Sequence, residues 1–571
     1  MDWQAEWIWH PTRDEMDNFY LHARKPLVLG EVPEEAKVFV TASSLYKLYI
    51  NGQPVGRGPN PADPSRYYFD SYEVSDHLLV GENVVAALCY NYGPESRGIL
   101  KQNWGRGGFL LELRADGETL LATDGSWKVL QASAWEQDAP VNCTLYGDFK
   151  EVYDSRREPE GWLAPSFDDS EWQEPEVLGK PPVEPWTKLI PAEIPPLGGE
   201  RVRPLNSFWE SASVTYSWRD DWEVYNEGRL AGDARQAAEE DTRVMRTHSD
   251  FNPSVILDFG RDVTGYVEIE IADCAGGVMD VLYGEDLYLT RVDTFVLKGG
   301  RQVLRPFNRR TFRYCKLLFR ETPDWVHIED VSVEMSTYPV EHRGEFRCSD
   351  DLLNRIWHVG RYTMRLSMLD HFVDCPWRER TLYGGDMYAE NLIAHYAFGD
   401  PRMNRKCLRQ MAHIQYPEGP LPPWGPYRGC GRFYPPWSAF WGLALLDHYE
   451  LTAEKDVLEE LWPNLRRLLE WTIEQSDNEV GLIGSPSPGW FKQRRREDPF
   501  RAWMEAEKTQ YLVWHNAPFA PLLRRAAEAA RVPGREEEAE RYRAAGEDFA
   551  AAMHDALLNE ETGRCGDYDP Q

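Results

Sequence analysis

The spacing of apolar residues changes once along the chain, near residue 340, and this change limits the folds that the sequence can adopt. Before it, short apolar runs alternate with polar residues and end in turns. One example is LYKLYINGQPVGRG (45–58), in which Asn51-Gly52 is typical of a hairpin. After Glu341 apolar residues recur at helical spacing, as in Leu353, Ile356, Trp357, Gly360, Met364 and Met368. The pattern predicts a β-rich N-terminal part followed by an all-helical part.

A proline-rich segment divides the β-rich part. Residues 175–199 contain seven prolines, which remove backbone donors and predict a linker without regular structure. Beyond it, strands Val267–Ile271 and Met279–Tyr283 flank a Gly276-Gly277 turn, as expected of a β-sandwich. We therefore predict a β-sandwich, carbohydrate-binding-like domain at 1–180, a second β-sandwich domain at 181–340 and a helical domain at 341–571.

The helical domain shows seven amphipathic segments. They lie at 350–368, 386–398, 401–414, 437–450, 456–475, 508–531 and 535–558. In the fifth segment Val457, Leu461, Leu465, Leu468 and Leu469 share one face, and such stripes usually belong to a core.

Composition excludes several classes of function. A formal net charge of -31 repels nucleic-acid phosphates and anionic lipids, so a neutral partner is favoured. The sequence offers neither a secretory signal pattern nor an apolar stretch long enough to cross a membrane. The nine cysteines are scattered and contain no CxxC pair, so we expect no disulfide framework, no metal site and no cofactor. A cytoplasmic location fits these features.

The segment DCPWRERTLYGGD (374–386) concentrates charge between two predicted helices. It allows a simple structural interpretation, in which Asp386 caps a helix, Glu379 pairs with a neighbouring arginine and Asp374 faces water. Aromatic residues favour a different interpretation, a sugar-binding site, because Phe372, Trp377 and the nearby PPWGPYRGCGRFYPPWSAFW surround the charges. A sugar presents a face of C–H bonds to aromatic rings and hydroxyl groups to carboxylates, so the combination indicates carbohydrate chemistry.

Glycoside hydrolysis uses the same residue types. One carboxylic acid protonates the departing oxygen, and a second carboxylate activates water or attacks directly. Glu379 is our candidate acid. The nearby aspartates would raise its pKa and the adjacent arginines would lower it, so the sequence leaves the direction open.

The same segment resembles the motif of bacterial α-L-rhamnosidases, glycoside hydrolase family 78, in which an aspartate, Cys-Pro, an Arg-Glu-Arg core and a later Gly-Asp recur. EWIWHP, LYINGQPVGRGP, DGSWKVL, LDFGRDVTGYVEIEI and FRYCKLLF are similar to the β-domains of that family. The resemblance implies an inverting, exo-acting enzyme with a six-hairpin α/α-barrel catalytic domain. In it Glu379 is the general acid, and Asp374, Arg378 and Asp386 hold the hydroxyl groups of a terminal α-L-rhamnosyl unit.

The number of predicted helices departs from that family. Seven helices are too few for a complete barrel, so the domain is expected to be incomplete at its C-terminus, with the general base beyond the end of this chain. Apolar faces of the last helices would then be exposed and could lead to a homo-oligomer or to aggregation.

Several alternatives stay open. Trp437, Trp441 and Trp490 are candidate sugar-binding residues, although each is as consistent with a core position as with a sugar platform. The expected partner is a rhamnose-containing oligosaccharide or glycoside. The chain could instead be a carbohydrate-binding protein or inactive fragment without turnover, or an α/α-barrel hydrolase or lyase for another sugar.

Overall fold

The computed structural model describes most of the chain in two compact units. The described residues are 2–12, 16–93, 105–141, 148–212, 235–236, 244–245, 252–426, 434–484 and 511–566. The first unit comprises residues 1–339, 365–370 and 375–380, and the second comprises 340–364, 371–374 and 381–571.

The N-terminal part of the first unit is a β-sandwich. The strands of this part of the chain are β1 (Trp7–Trp9), β2 (Phe19–Leu29), β3 (Ala36–Ser43), β4 (Leu45–Ile50), β5 (Gln53–Gly58), β6 (Tyr67–Glu73), β7 (Gly81–Asn91), β8 (Gly108–Ala115), β9 (Glu118–Ala122), β10 (Lys128–Gln131), β11 (Val152–Asp154), β12 (Glu176–Gly179) and β13 (Leu189–Pro191). All of them except β11 belong to the sandwich. One sheet has the order β12-β1-β8-β3-β6-β13, with β9 beside β8, and the other has the order β10-β2-β7-β4-β5. Buried side chains of both sheets, among them Val38, Leu111, Leu21 and Val85, form one core.

The predicted hairpin is confirmed. Strands β4 and β5 pair antiparallel on either side of Asn51 and Gly52. Both turn residues have positive φ, 52° and 79°, as a type I′ turn requires.

The proline-rich segment contains strands, which corrects the prediction that it lacks regular structure. Strand β12 pairs antiparallel with β1, and β13 pairs parallel with β6. Prolines are tolerated because these are short strands at the ends of the sheet order. Strand β11 pairs instead with β20 (Arg291–Leu297). Strand β13, which follows residue 180, therefore joins the sandwich, and β11, which precedes residue 180, joins the sheet that contains β20. The domain boundary at residue 180 stays a prediction.

The rest of the first unit is built on an eleven-stranded sheet. In addition to β11 and β20 its strands are β14 (Arg201–Val202), β15 (Asn206–Ala212), β16 (Arg235–Gln236), β17 (Val244–Met245), β18 (Asn252–Asp273), β19 (Gly277–Gly284), β21 (Gln302–Leu304), β22 (Arg310–Arg320) and β23 (Val326–Met335). The strands predicted on either side of Gly276-Gly277 lie within β18 and β19. Both pair with β22, so they are not paired with each other as a hairpin.

The second unit is helical, as predicted from the change in spacing. Its helices are α1 (Asp351–Ser367), α2 (Gly384–Ala397), α3 (Arg402–His413), α4 (Pro435–Thr452), α5 (Lys455–Ser476), α6 (Val513–Asn516), α7 (Phe519–Arg531) and α8 (Glu536–Leu557). Two short strand pairs accompany them, formed by β24 (Leu382–Tyr383) with β25 (Trp424–Gly425) and by β26 (Leu558–Asn559) with β27 (Arg564–Cys565). Asp350 caps α1, because its Oδ1 accepts the N–H of Leu352 at 2.8 Å.

The sixth predicted helix is wrong in its extent. The predicted segment 508–531 is divided into α6 and α7, with Pro518 immediately before α7. Proline has no N–H to continue a helix and is well placed at a helix start. The start predicted at residue 508 lies outside the described residues.

The exposed apolar residues lie elsewhere than on the last helices, where they were predicted. The stripe predicted on α5 is buried. The larger exposed apolar side chains cluster on α1 rather than on α7 and α8, and they include Leu352 (64% exposed), Ile356 (57%) and Val359 (58%). Among the helices that the structure describes, none has the length and apolar character of a membrane span.

Candidate active site

The charged segment 374–386 joins α1 to α2, as predicted. Helix α2 begins at Gly384, two residues before the predicted start, and its N-cap is Tyr383, which makes no side-chain capping bond. The capping role considered for Asp386 is therefore wrong. Asp386 is an exposed residue of the first turn, where the helix dipole favours a negative charge.

Asp374 closes the base of the loop that contains residues 375–380. Its Oδ1 accepts the N–H of Thr381 at 2.9 Å, and its own N–H donates to the Thr381 carbonyl oxygen at 3.2 Å. The simple interpretation, in which Asp374 only faces water, is incomplete because one carboxylate oxygen already accepts a backbone hydrogen bond.

Glu379 lies near the tip of this loop in a largely buried position. Its residue is 8% exposed, although the side chain of the preceding Arg378 is half exposed. The Arg378 guanidinium donates to Glu379 Oε1. This contact orients the carboxyl group through one of its oxygens.

The backbone of the loop is held at two points by strands of the first unit. Thr311 Oγ1 donates to the Pro376 carbonyl oxygen at 2.7 Å, and Arg291 Nη2 donates to the Arg378 carbonyl oxygen at 3.2 Å. The Arg291 guanidinium also lies 4.7 Å from the ring centre of Trp377. Both bonds restrict the backbone on the N-terminal side of Glu379.

Arg380 is the third attachment of the loop. Its backbone has a φ of 50°, and its guanidinium donates to Asp148 Oδ2 and to the Arg309 carbonyl oxygen at 3.1 Å. Asp148 also lies 3.6 Å from Arg310 Nη1 and 4.0 Å from Arg291 Nη1. The two hydrogen bonds of its guanidinium hold Arg380 in this left-handed conformation.

The second unit contains a buried carboxyl group that the sequence analysis missed. Glu390 lies on α2 one turn after Asp386 and is 9% exposed. Burial, followed by repulsion from Asp386 and Asp374, raises the pKa of Glu390 well above its ordinary value. The four-residue spacing from Asp386 was a signal, but only burial distinguishes Glu390 from a solvated helix residue.

Trp437 packs against the start of α2. A Cβ atom at Gly385 would lie 2.9 Å from its Cε2 atom, and one at Gly384 would lie 3.0 Å from its carbonyl oxygen. The two glycines therefore allow the indole to approach the first turn, which carries Asp386. Trp437 is half-buried and contacts the ring of Trp514 edge to face at 5.9 Å.

The other two predicted tryptophans differ from Trp437. Trp441 is completely buried and its Nε1 donates to the Leu408 carbonyl oxygen at 3.0 Å, so its position is that of a core residue and its indole exposes no face to a sugar. Trp490 lies outside the described residues. Within the described ranges, no three His, Cys, Asp or Glu residues are grouped as metal ligands.

Two family models match this chain. Residues 341–569 match the bacterial α-L-rhamnosidase 6 hairpin glycosidase domain, and residues 31–196 match the α-L-rhamnosidase N-terminal domain. Together the two matches cover more than half of the chain. The chain belongs to the bacterial α-L-rhamnosidase family. The motif 374–386 lies within the matched six-hairpin glycosidase domain of this family.

Curated α-L-rhamnosidases are distant relatives. One from Formosa agariphila is 24% identical over 405 residues, which cover 64% of this chain and 37% of that protein. One from Streptomyces avermitilis is 24% identical over 495 residues, which cover 80% of this chain and 41% of that protein. The chain thus spans less than half the length of either rhamnosidase.

Solved rhamnosidase structures share the fold. The family 78 rhamnosidase of Bacillus sp. GL1 has a TM-score of 0.86 at 21% identity, covering 99% of this chain and 78% of that one. The S. avermitilis α-L-rhamnosidase complexed with L-rhamnose has a TM-score of 0.70 at 20% identity, covering 96% and 50%. The predicted order of β-domains followed by a helical domain is confirmed.

Proposed function

We propose that this chain acts in an exo-acting glycoside hydrolase that removes terminal α-L-rhamnosyl units. The observation that carries the proposal is the position of Glu379: a largely buried carboxyl group, oriented by Arg378, on a loop that is hydrogen-bonded at several points. Membership of the rhamnosidase family supports the choice of sugar, as does the L-rhamnose in the S. avermitilis relative.

In the proposed reaction Glu379 donates a proton to the glycosidic oxygen as the bond to the rhamnosyl carbon breaks. The loop attachments keep its carboxyl group in one orientation, so little reorganisation is needed at the transition state. Asp374, Arg378 and Asp386 hold sugar hydroxyl groups, and Trp437 offers an apolar surface for the methyl group or ring face of rhamnose. An inverting mechanism also needs a base that activates water, and we assign no described carboxylate to that role.

The proposal is tested with a pair of α-L-rhamnosides that differ in leaving group. Glu379→Gln keeps the shape and the hydrogen bonds of the side chain but cannot release the proton. We expect kcat/KM to fall by about 10²–10⁴-fold for an alkyl rhamnoside, which depends on protonation. The loss should be much smaller for a 2,4-dinitrophenyl rhamnoside, whose leaving group needs little protonation.

Glu345→Gln is the matched control, because Glu345 is an exposed glutamate of the chain. It should leave both substrates unaffected. Equal losses on both substrates in Glu379→Gln, or full activity on both, would contradict the role of Glu379 as the acid.

A carbohydrate-binding role without turnover is the second candidate. The observation that favours it is the N-terminal β-sandwich, a fold that can bind a sugar without turning it over. Calorimetric titration with L-rhamnose, combined with an assay for release of p-nitrophenol from its α-L-rhamnoside, separates the two. Binding without release would support this candidate.

We also propose a reducing, cytoplasmic location. Cys89, Cys274 and Cys315 are buried free thiols, as expected of a protein that folds without disulfide formation. Recovery of the native protein with the cytosolic fraction of its host would support this assignment, and recovery outside the cell would contradict it.

A further inference from the structure

A cavity of about 290 Å³ lies in the first unit, and its lining includes no residue of the segment 374–386. Its walls are formed by β11, by β21 with the turn before it, and by residues 158–163, which follow β11 in the chain. This volume is at the lower end of the range for ligand pockets, which begins at about 300 Å³. The cavity therefore suits a molecule the size of one sugar unit.

The cavity extends from an exposed mouth to a buried floor. Val303 and Glu160 line it and are exposed, whereas Trp162 and Leu304 line it and are buried. An indole and an aliphatic side chain thus provide apolar surface at the inner end. The mouth is open to molecules from solvent.

Glu158 contributes a carboxylate oxygen with unused hydrogen-bonding capacity to this cavity. Its Oε2 is buried and has no hydrogen-bond partner among the described residues. His22 Nε2 lies 3.5 Å from this oxygen. His22 is completely buried, and both of its ring nitrogens also lack a hydrogen-bond partner in the described part of the chain. Buried polar atoms are nearly always hydrogen-bonded, so their grouping beside a cavity indicates a polar ligand.

Lys298 supplies a cation that a ligand can use. Its N–H donates to Ser155 Oγ at 2.8 Å and its carbonyl oxygen accepts from Gln302 Nε2 at 2.5 Å, so its backbone is fixed. Its ammonium group forms no ion pair or hydrogen bond within the described ranges. Arg301 also lines the cavity but already pairs with Glu329 at 2.5 Å. Lys298 is therefore the cation available to a bound molecule.

Tyr153 adds a phenolic hydroxyl group to the lining. Burial, followed by repulsion from Glu158, raises the pKa of Tyr153, so its hydroxyl group is protonated at neutral pH and can donate a hydrogen bond. The carboxylate, the ammonium and the phenol suit the hydroxyl groups of a sugar, and the Trp162 indole suits its C–H bonds. Glu158 and Lys298 balance in charge, so the lining favours a neutral sugar.

The wall that carries Glu158 and Trp162 is fixed by the sandwich. Arg24, buried on β2, donates from Nη2 to the Ala164 carbonyl oxygen at 3.0 Å and from Nη1 to the Phe167 carbonyl oxygen at 3.2 Å. The Trp162 ring also lies 4.3 Å from the His22 ring. A wall that is already ordered lowers the entropic cost of binding.

We propose that this cavity is a second sugar site, which binds one neutral pyranose unit of a glycan. In it Glu158 accepts hydrogen bonds from sugar hydroxyl groups, Lys298 and Tyr153 donate to hydroxyl oxygens, and Trp162 contacts the C–H face. The site contains none of the residues assigned to hydrolysis, so it does not depend on the proposed function.

The site is tested by saturation-transfer difference NMR on the full chain. The probes are methyl α-L-rhamnoside, methyl β-D-glucoside, methyl α-D-mannoside and methyl β-D-galactoside, with sodium D-glucuronate as the acidic comparison. Val303→Trp places a large side chain in the mouth and should abolish the binding of at least one glycoside that binds wild type. Val28→Trp, at another exposed valine of a strand, is the matched control and should bind as wild type does.

Two further variants test recognition by the polar groups. Lys298→Met keeps the volume and loses the ammonium group, so the same glycoside should bind about tenfold more weakly. Glu158→Gln replaces a charged acceptor by a neutral one and should weaken binding several-fold. Lys180→Met, at an exposed lysine, is the control and should bind as wild type does. A melting temperature close to that of wild type verifies that each variant folds.

Each outcome decides the proposal. Absence of binding by wild type, or equal binding by Val303→Trp, would overturn it. Unchanged affinity in both Lys298→Met and Glu158→Gln, or a preference for D-glucuronate, would overturn the assignment of a neutral sugar. Hydrolysis of p-nitrophenyl α-L-rhamnoside should be the same in Val303→Trp as in wild type, and its loss would contradict a separate site. Glycoside binding by a chain that hydrolyses no rhamnoside would support this site and remove only the proposed function.

Discussion

The Asp148 carboxylate is the buried partner of Arg380 in the loop 375–380. It is almost completely buried, accepts a hydrogen bond from Arg380 and lies near Arg310 and Arg291. Removing the charge of one partner of a buried ion pair leaves the charge of the other partner uncompensated. The free energy of unfolding then typically falls by about 3–5 kcal/mol. The loop that carries Glu379 would lose its third attachment at the same time.

We therefore predict that Asp148→Asn lowers the free energy of unfolding by about 3 kcal/mol. Urea unfolding measures this change, and Asp138→Asn, at an exposed aspartate, is the control. If the variant folds, its kcat should fall more than its affinity for L-rhamnose, because the acid is displaced. Unchanged stability and unchanged kcat would show that the loop does not need this ion pair.

A half-buried histidine beside a buried one predicts a loss of stability in acid. The rings of His395 and His448 are 5.4 Å apart, and burial together with repulsion from His448 lowers the pKa of His395 to about 4. Because the unfolded value is about 6.5, the unfolded chain takes up the proton first. The contribution of His395 is therefore complete above about pH 6.5 and is lost as the pH falls towards 4.

This prediction is checked by the pH dependence of the melting temperature. His395→Gln should show a shallower decrease than wild type between about pH 6.5 and pH 4. The matched control is His358→Gln, at an exposed histidine of α1, and it should follow the wild-type curve. Parallel curves for all three proteins would show that His395 ionises normally.

Gly385 determines how closely Trp437 approaches the proposed sugar site. In Gly385→Ala the new Cβ would lie 2.9–3.2 Å from three atoms of the indole, so the ring must move. Alanine gains up to about 1 kcal/mol of helix propensity, which offsets part of the strain, so we expect the stability to change little. The affinity for L-rhamnose, measured by calorimetry, should fall several-fold. An unchanged affinity would argue against Trp437 as a sugar platform.

At the scale of the element, helix α1 exposes an apolar face. Leu352, Leu353, Ile356 and Val359 are all exposed and lie within two turns. An apolar face of this kind favours association, and a second copy of the chain is the partner present in every preparation. We expect concentration-dependent self-association through α1. Sedimentation velocity should show it in wild type and not in Ile356→Lys/Val359→Lys.

The control for this prediction is Val532→Lys, which changes a single exposed apolar residue elsewhere in the second unit. It should associate as wild type does. A wild-type chain that stays monomeric over a wide concentration range would contradict the prediction.

At the scale of the whole molecule, net charge opposes this association. With a formal charge of -31, two copies repel each other at low ionic strength, and salt screens the repulsion over distances of about 8–10 Å. We predict that raising NaCl from about 10 mM to about 500 mM strengthens self-association of wild type. Light scattering at a fixed protein concentration measures this effect, and weaker association at high salt would show that ion pairs, not apolar contacts, join the copies.

Local patterns predicted the elements more reliably than their extents and partners. The Asn51-Gly52 hairpin and the buried face of α5 follow from turn chemistry and helical spacing, which depend on neighbours in the chain. The proline-rich segment was misjudged because two short strands found partners in β1 and β6. The predicted helix 508–531 is too long because apolar residues keep their helical spacing across Pro518, whereas helix α7 begins only after this proline.

Local sequence patterns were enough to predict the order of a β-rich and a helical part, the position of the charged loop between α1 and α2, and Glu379 as candidate acid. Each of these depends on residues close together in the chain. The folded chain was needed to see that Asp148 holds the loop through Arg380, that Trp441 belongs to the core, and that Glu390 is buried near two acidic residues. These contacts and environments arise from packing between distant segments, and burial changes the energy of a charge in a way that no local pattern encodes.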